Sequence, residues 1–84
     1  MTEFAAVVMD IRLESHVAGV ARCQISLDET VFGEGDTGEL EAVAPSGARL
    51  VVPVLSVEAD EDGEVWHLVE KPLGAGTQVT GRVS

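Results

Sequence analysis

The chain is poor in the residues that most functions lean on. It has no tyrosine and no asparagine, a single tryptophan (Trp66), a single cysteine (Cys23) and a single lysine (Lys71). One cysteine cannot make an internal disulfide, so the fold must hold without a covalent staple. Only five bases stand against 15 acids, giving a net charge of −10. The four arginines, Arg12, Arg22, Arg49 and Arg82, are dispersed and form no basic run. Binding to a phosphate backbone rests on Lys and Arg neutralising phosphates, so direct nucleic-acid binding is not expected. The same argument opposes docking on anionic lipid. No apolar run approaches the roughly 18–20 residues that a membrane helix needs. A secretory leader is not expected either, because Glu3 occupies the place of a basic n-region and Asp10 and Arg12 interrupt the apolar stretch. A cytoplasmic location is therefore expected.

What is present points to a folded domain. Apolar residues make up 45% of the 84-residue chain, too many for a disordered segment, and the length suits one domain. A chain this short buries only ~60–65% of its unfolded surface, and with aromatics at 4% the core must be built from Val and Leu. Either packing is very regular or a second chain covers part of it.

The dominant period is two. Phe4–Leu13 alternates: Ala5, Val7, Met9, Ile11 and Leu13 lie on one side. The other side runs from apolar (Phe4, Ala6, Val8) to charged (Asp10, Arg12). This suits a strand, although Phe4, Val8, Ile11 and Ser15 also share a helical side. Glu14-Ser15-His16 reads as a turn. Val17–Leu27 is the clearest strand, with Gly19, Ala21, Cys23, Ile25 and Leu27 on its inner face. Asp28–Gly38 is a long acidic connection in which Val31 or Phe32 can anchor under the loop. Glu39–Ala44 is a short strand, followed by turn chemistry at Pro45-Ser46-Gly47.

Ala48–Ala59 has a centre, Leu50–Leu55, that is apolar on both faces, which predicts a doubly buried strand. Pro53 donates no ladder hydrogen bond and instead predicts an edge, where a two-faced apolar strand can pair with another chain. Asp60-Glu61-Asp62-Gly63 is a hairpin turn. It leads to Glu64–Lys71, with Trp66 and Leu68 on one face and Val65, His67 and Val69 on the other. Pro72–Gly76 breaks the pattern before Gln78–Val83. Six short strands with regular turns predict an all-β fold, a small six-stranded antiparallel barrel or sandwich.

Chemistry-bearing motifs are weak. Gly33-Glu34-Gly35-Asp36-Thr37-Gly38 fits G-x-G-x-x-G, but a dinucleotide site needs a preceding strand and a following helix, and two acids here would face the pyrophosphate. The acids from Glu58 to Glu64 echo half a calcium loop, yet counting from Glu58 places Val69 where the closing acid belongs. Cys23 lies on an apolar strand face, where cysteine behaves as a small hydrophobe. Pairing Cys23 with His16 or His67 as nucleophile and base lacks support, as does a metal site built from the three. The serines sit in no G-x-S-x-G elbow. No catalytic, cofactor or metal residue is assigned.

Val17-Ala-Gly-Val-Ala-Arg-Cys-Gln-Ile25, followed by Val31-Phe-Gly-Glu-Gly-Asp36, resembles the second-domain β-barrel of translation GTPases, where a curved strand with small residues leads to a Gly-Asp turn. Gly74-Ala-Gly76 through Val83 resembles that barrel's closing strand. The resemblance implies six-stranded barrel topology and carries over no functional residue; no GTPase domain is present.

The expected function is a small, acidic, non-catalytic interaction module that binds a protein partner or self-associates. The candidate interface residues are Val52 and Val54 of the apolar strand, and Trp66, an interface anchor if it is exposed and a core residue if it is not. An acidic mimic that occupies the basic groove of a DNA- or RNA-binding protein, and a small-molecule-binding barrel, are the alternatives.

Overall fold

The computed structural model describes residues 2–17, 19–44 and 46–84. It contains seven strands: β1 Thr2–Val17, β2 Val20–Leu27, β3 Gly38–Val43, β4 Arg49–Val54, β5 Ser56–Ala59, β6 Val65–Val69 and β7 Gln78–Val83. Among the described residues there is no helix. The strands form one antiparallel sheet, in the order β4-β3-β7-β1-β2-β6-β5, rolled into a half-barrel.

The first run is a strand, and a longer one than the sequence suggests. Its Thr2–Val7 half pairs with β7 and its later half, from Val8, pairs with β2. The expected turn at Glu14-Ser15-His16 is strand instead. Those residues offer no glycine or proline, whereas Gly19, at φ 81°, supplies the positive φ of a tight connection. The β1–β2 register shifts between Val8 and Asp10. A bulge of this kind inserts an unpaired residue and exchanges the two faces of the strand. Before it Ala6 and Val8 are buried; at it Met9 is 58% exposed; after it Ile11 packs against the core. A single uninterrupted alternation from Ala5 to Leu13 is therefore not what the chain adopts.

The Ala48–Ala59 run also divides, which makes seven strands rather than six. β4 pairs with β3 and β5 pairs with β6. The break falls at Leu55, whose N–H donates to the Leu68 carbonyl at 2.8 Å. Pro53 lies on β4, at the edge of the sheet, where its missing donor costs no ladder bond. Pro45 of the expected β3–β4 turn lies outside the described residues; Gly47 of that turn has φ 89° and donates to the Ala44 carbonyl.

The core gathers Val8, Ile25, Leu40, Val52, Val57 and Val69 from six strands, all at most 2% exposed. The long loop after β2 is pinned at several points. Asp28 Oδ1 accepts from the Val7 N–H at 2.8 Å, Gly35 N–H donates to the Val57 carbonyl, and Phe32 is buried edge-on against Phe4 and His67. The Gly33–Gly38 stretch is thus a turn leading into strand β3, and no helix follows it.

Candidate interaction surface

Val52 and Val54, expected at an interface, are 0% and 2% exposed and belong to the core. Pairing explains why. Val52 lies opposite Leu40, itself fully buried, so both side chains point inward. Alternation then turns their neighbours outward: Val51 is 46% exposed and Pro53 is exposed. Leu50, opposite buried Ala42, shares the inner face with Val52 and is 38% exposed near the start of β4; Leu55, just past β4, is 38% exposed, and Val43 on β3 is 56% exposed. On the outer face Val43 and Val51 are therefore diagonal neighbours across β3 and β4, with Pro53 and then Leu55 following. A contiguous exposed apolar patch is informative in a way that scattered residues are not.

Acids and arginines share this outer face. Glu39 lies opposite Arg82 of β7, which lies opposite Glu3 of β1, and Glu41 is one step along β3. The Arg82 guanidinium reaches Glu3 at 2.8 Å, Glu41 at 2.9 Å and Glu39 at 3.4 Å. Hydrogen bonds to Glu41 and Glu3 push the Arg82 pKa up, so the group stays charged. Arg49 approaches the second oxygen of Glu41 at 3.6 Å. Three glutamates thus share two arginines, with Glu41 the most buried of them.

Two hollows open beside this network. One, of about 420 Å³, lies over Ala5, Val7 and Thr80 with Asp28 and Glu41 among its lining residues. The other, of about 500 Å³, is lined by Ala44, Ala48, Arg49, Leu50 and Thr77. Val43 and Gln78 border both.

Trp66 is neither a core residue nor an open contact. It projects from the outer face of β6, since its neighbour His67 pairs with buried Ile25 and Val57, and it stands apart from the main hydrophobic cluster. Yet it is only 8% exposed. The Arg12 guanidinium sits 4.0 Å above the ring centroid, and Arg12 Nε donates to Gln24 Oε1 at 2.7 Å, which fixes the stack. The indole N–H donates to Asp60 Oδ2 at 3.1 Å. The other Asp60 oxygen accepts from the N–H groups of Asp62 and Glu64, closing the acidic hairpin turn. These bonds, the indole's foremost, hold the Asp60 carboxyl below its usual pKa.

Cys23 is buried on the core face. Both ring nitrogens of His67 are engaged, Nδ1 by the Ile25 carbonyl at 2.8 Å and Nε2 by the Thr30 hydroxyl at 2.9 Å. The His16 side chain lies outside the described residues. Among the described residues no group of His, Cys, Asp and Glu could hold a metal ion, and no helix is long and apolar enough to cross a membrane.

Reading the sequence missed Val43 and Arg82. Val43 carried a usable signal: in Glu39-Leu40-Glu41-Ala42-Val43 it falls in phase with the two glutamates and so on the outer face. Arg82 carried none, because its role depends on strands far apart in sequence. The chain matches no known family, and no curated protein matches it significantly.

Proposed function

We propose that this domain is a non-catalytic protein-interaction module that receives a partner on the outer face of β3 and β4. The observation that carries the reading is the exposed row of Val43, Val51 and Pro53 on the outer face, with Leu55 just past its end, at one edge of the sheet in a chain of net charge −10. The apolar face supplies the driving force for association, and the surrounding glutamates select a partner with a basic surface. The all-β character of the described residues and the curvature of the sheet are compatible with the barrel of translation GTPases that the sequence resembles. In that reading β4 and β5 act as one strand bent at Leu55, and the seven segments make six barrel strands. A cytoplasmic setting belongs to the same reading.

Affinity capture from cell extract with the wild-type chain and with Val51→Lys and Leu55→Lys tests it. Both substitutions sit on exposed positions and should leave the β-type circular dichroism unchanged. A specific partner held by the wild type should be lost from both variants. A partner retained equally by all three would overturn the assignment of this face. Light scattering after size exclusion, at low and high salt, reports whether the chain also pairs with itself.

A further inference from the structure

The outer face is not the only surface that β4 leaves open. We infer that the free edge of β4 pairs antiparallel with the same edge of a second copy of this chain, centred on Val51. The ladder fixes which backbone groups are on offer. The Ala44 N–H donates to the Ala48 carbonyl, so by alternation the even-numbered residues of β4 turn their backbone groups toward β3. The odd-numbered residues turn theirs away, and the Leu55 N–H, donating to the Leu68 carbonyl on the far side, agrees. The N–H and C=O of Arg49 and Val51, and the C=O of Pro53, therefore line the open edge. Among the described residues no backbone hydrogen bond reaches them. The other end of the sheet is closed differently: the Gly35 N–H, from the long loop, covers the Val57 carbonyl on β5. Unpaired groups along a strand recognise another extended backbone.

Register and charge select the second copy as the occupant. Residues 42–57 are the longest stretch of the chain without an acid, so this edge can meet itself with no carboxylate directly opposite another. With Val51 opposite the second copy's Val51, the two exchange both N–H···O=C bonds, and each Arg49 N–H meets the other copy's Pro53 carbonyl. The Arg49 carbonyl, facing a proline, stays with water. Pro53 lies opposite Glu39 on β3. The second copy's Arg49 therefore stands two strand spacings, about 10 Å, from Glu39, with only a proline ring between them. That gap is within reach of an extended arginine and a glutamate. Glu39 is the least engaged carboxylate of its network: Arg82 approaches Glu3 at 2.8 Å and Glu41 at 2.9 Å, but Glu39 at 3.4 Å. Arg49 has a 74% exposed side chain and lies 3.6 Å from its own Glu41, so its guanidinium can turn a second nitrogen to the other copy. The twofold axis makes the contact twice. An unrelated strand would find the same backbone groups, but only a second copy brings Arg49 to Glu39 on both sides.

One strand edge buries less than a standard interface, and a net charge of −10 on each copy opposes association, so the dimer is weak, with a Kd on the order of 0.1 mM. Sedimentation of the full chain between about 10 µM and 1 mM should show monomer giving way to dimer. Val51→Pro removes the central donor yet costs the monomer no ladder bond, because that N–H points away from β3. It should stay monomeric throughout, with the β-type circular dichroism of the wild type. Arg49→Glu and Glu39→Arg should each weaken the dimer by about tenfold. An equimolar mixture of those two variants should recover it, since every cross-copy contact then joins opposite charges. A wild type still monomeric at about 1 mM, a dimer indifferent to Val51→Pro, or a mixture no more associated than its parts would overturn the inference. If Val51→Pro loses its circular dichroism, the mixture decides. The edge and the outer face are tested apart. Leu55→Lys lies outside the paired residues 49–53 and should leave the dimer intact, whatever it does to partner capture; a monomeric wild type would leave capture by the outer face standing.

Discussion

Acid should loosen this fold through His67 before the carboxylates titrate. The ring is fully buried, and it ties β2 to the loop that follows it. Since the Ile25 carbonyl can only accept, Nδ1 carries the proton and donates to it; Nε2 then accepts from the Thr30 hydroxyl. Thr30 Oγ1 in turn accepts from the Phe32 N–H at 3.1 Å, and the Phe32 ring packs edge-on against the imidazole. The groups facing the ring are the Ile25 carbonyl from β2, Thr30 and Phe32 from the loop, and Val57 opposite on β5. None of these carries charge, so an imidazolium there would have no counter-ion. A second proton on Nε2 would also turn the Thr30 hydroxyl away. Burial accordingly lowers the His67 pKa from its usual 6.5, with the bond to Ile25 opposing in part. The unfolded chain therefore binds a proton on this residue at higher pH than the folded one does. The stability is fully present above pH 6.5 and is lost as pH falls from there to the folded pKa. One proton sets a ceiling of about 1.4 kcal/mol per pH unit on the slope, hence up to about 2 kcal/mol between neutral pH and roughly pH 5. Urea denaturation of the wild type and of His67→Gln over that range measures it. The background change in charge repulsion is common to both proteins and cancels. His67→Gln should be less stable at neutral pH by about 1–3 kcal/mol, through a partner lost from Ile25 or Thr30. The gap between the two proteins should close as pH falls. Parallel stability curves down to about pH 5 would refute the buried, neutral ring as the source.

Val52→Ala should cost about 2–3 kcal/mol in chemical denaturation, because its side chain is wholly in the core, whereas Val51→Ala next to it should stay within about 0.5 kcal/mol. Gly38→Ala should destabilise more than Gly81→Ala: a Cβ at 38 would collide with the backbone carbonyl of Arg82, while one at 81 meets the Phe4 ring at 2.5 Å, and a ring can move. Overpacking of this kind costs roughly 1–3 kcal/mol, and thermal melts would rank the pair. Arg12→Ala should uncover Trp66, the one tryptophan, and shift its fluorescence to longer wavelength; unchanged emission would mean that the guanidinium is not what shields it.

The two-residue period made most strands legible because each has one wet and one dry face, and period two is the signature of that condition. The same signal fails where both faces are apolar. Leu50–Leu55 contains no polar residue, so nothing in it distinguishes Val52 and Val54, which point inward, from Val51, which points out. Only pairing with β3, where Leu40 faces inward and Glu41 outward, sets the phase. Bulges are invisible for a related reason: the change of face after Val8 follows from unequal pairing with β2, not from any residue type at Met9. Trp66 shows a third kind of limit. Its place on the outer face could be read from His67 and Val69, but its cover is Arg12, 54 positions earlier by numbering (66 − 12), held there by Gln24 on the intervening strand. The candidate surface follows the same logic. Val43 was legible because its strand alternates with glutamates, and Arg82 was not, because three strands must be in register before one guanidinium can meet Glu3, Glu39 and Glu41. A local pattern determines which way a side chain points; its companions on that face are determined by register, and in this chain the face proposed to bind is built from companions.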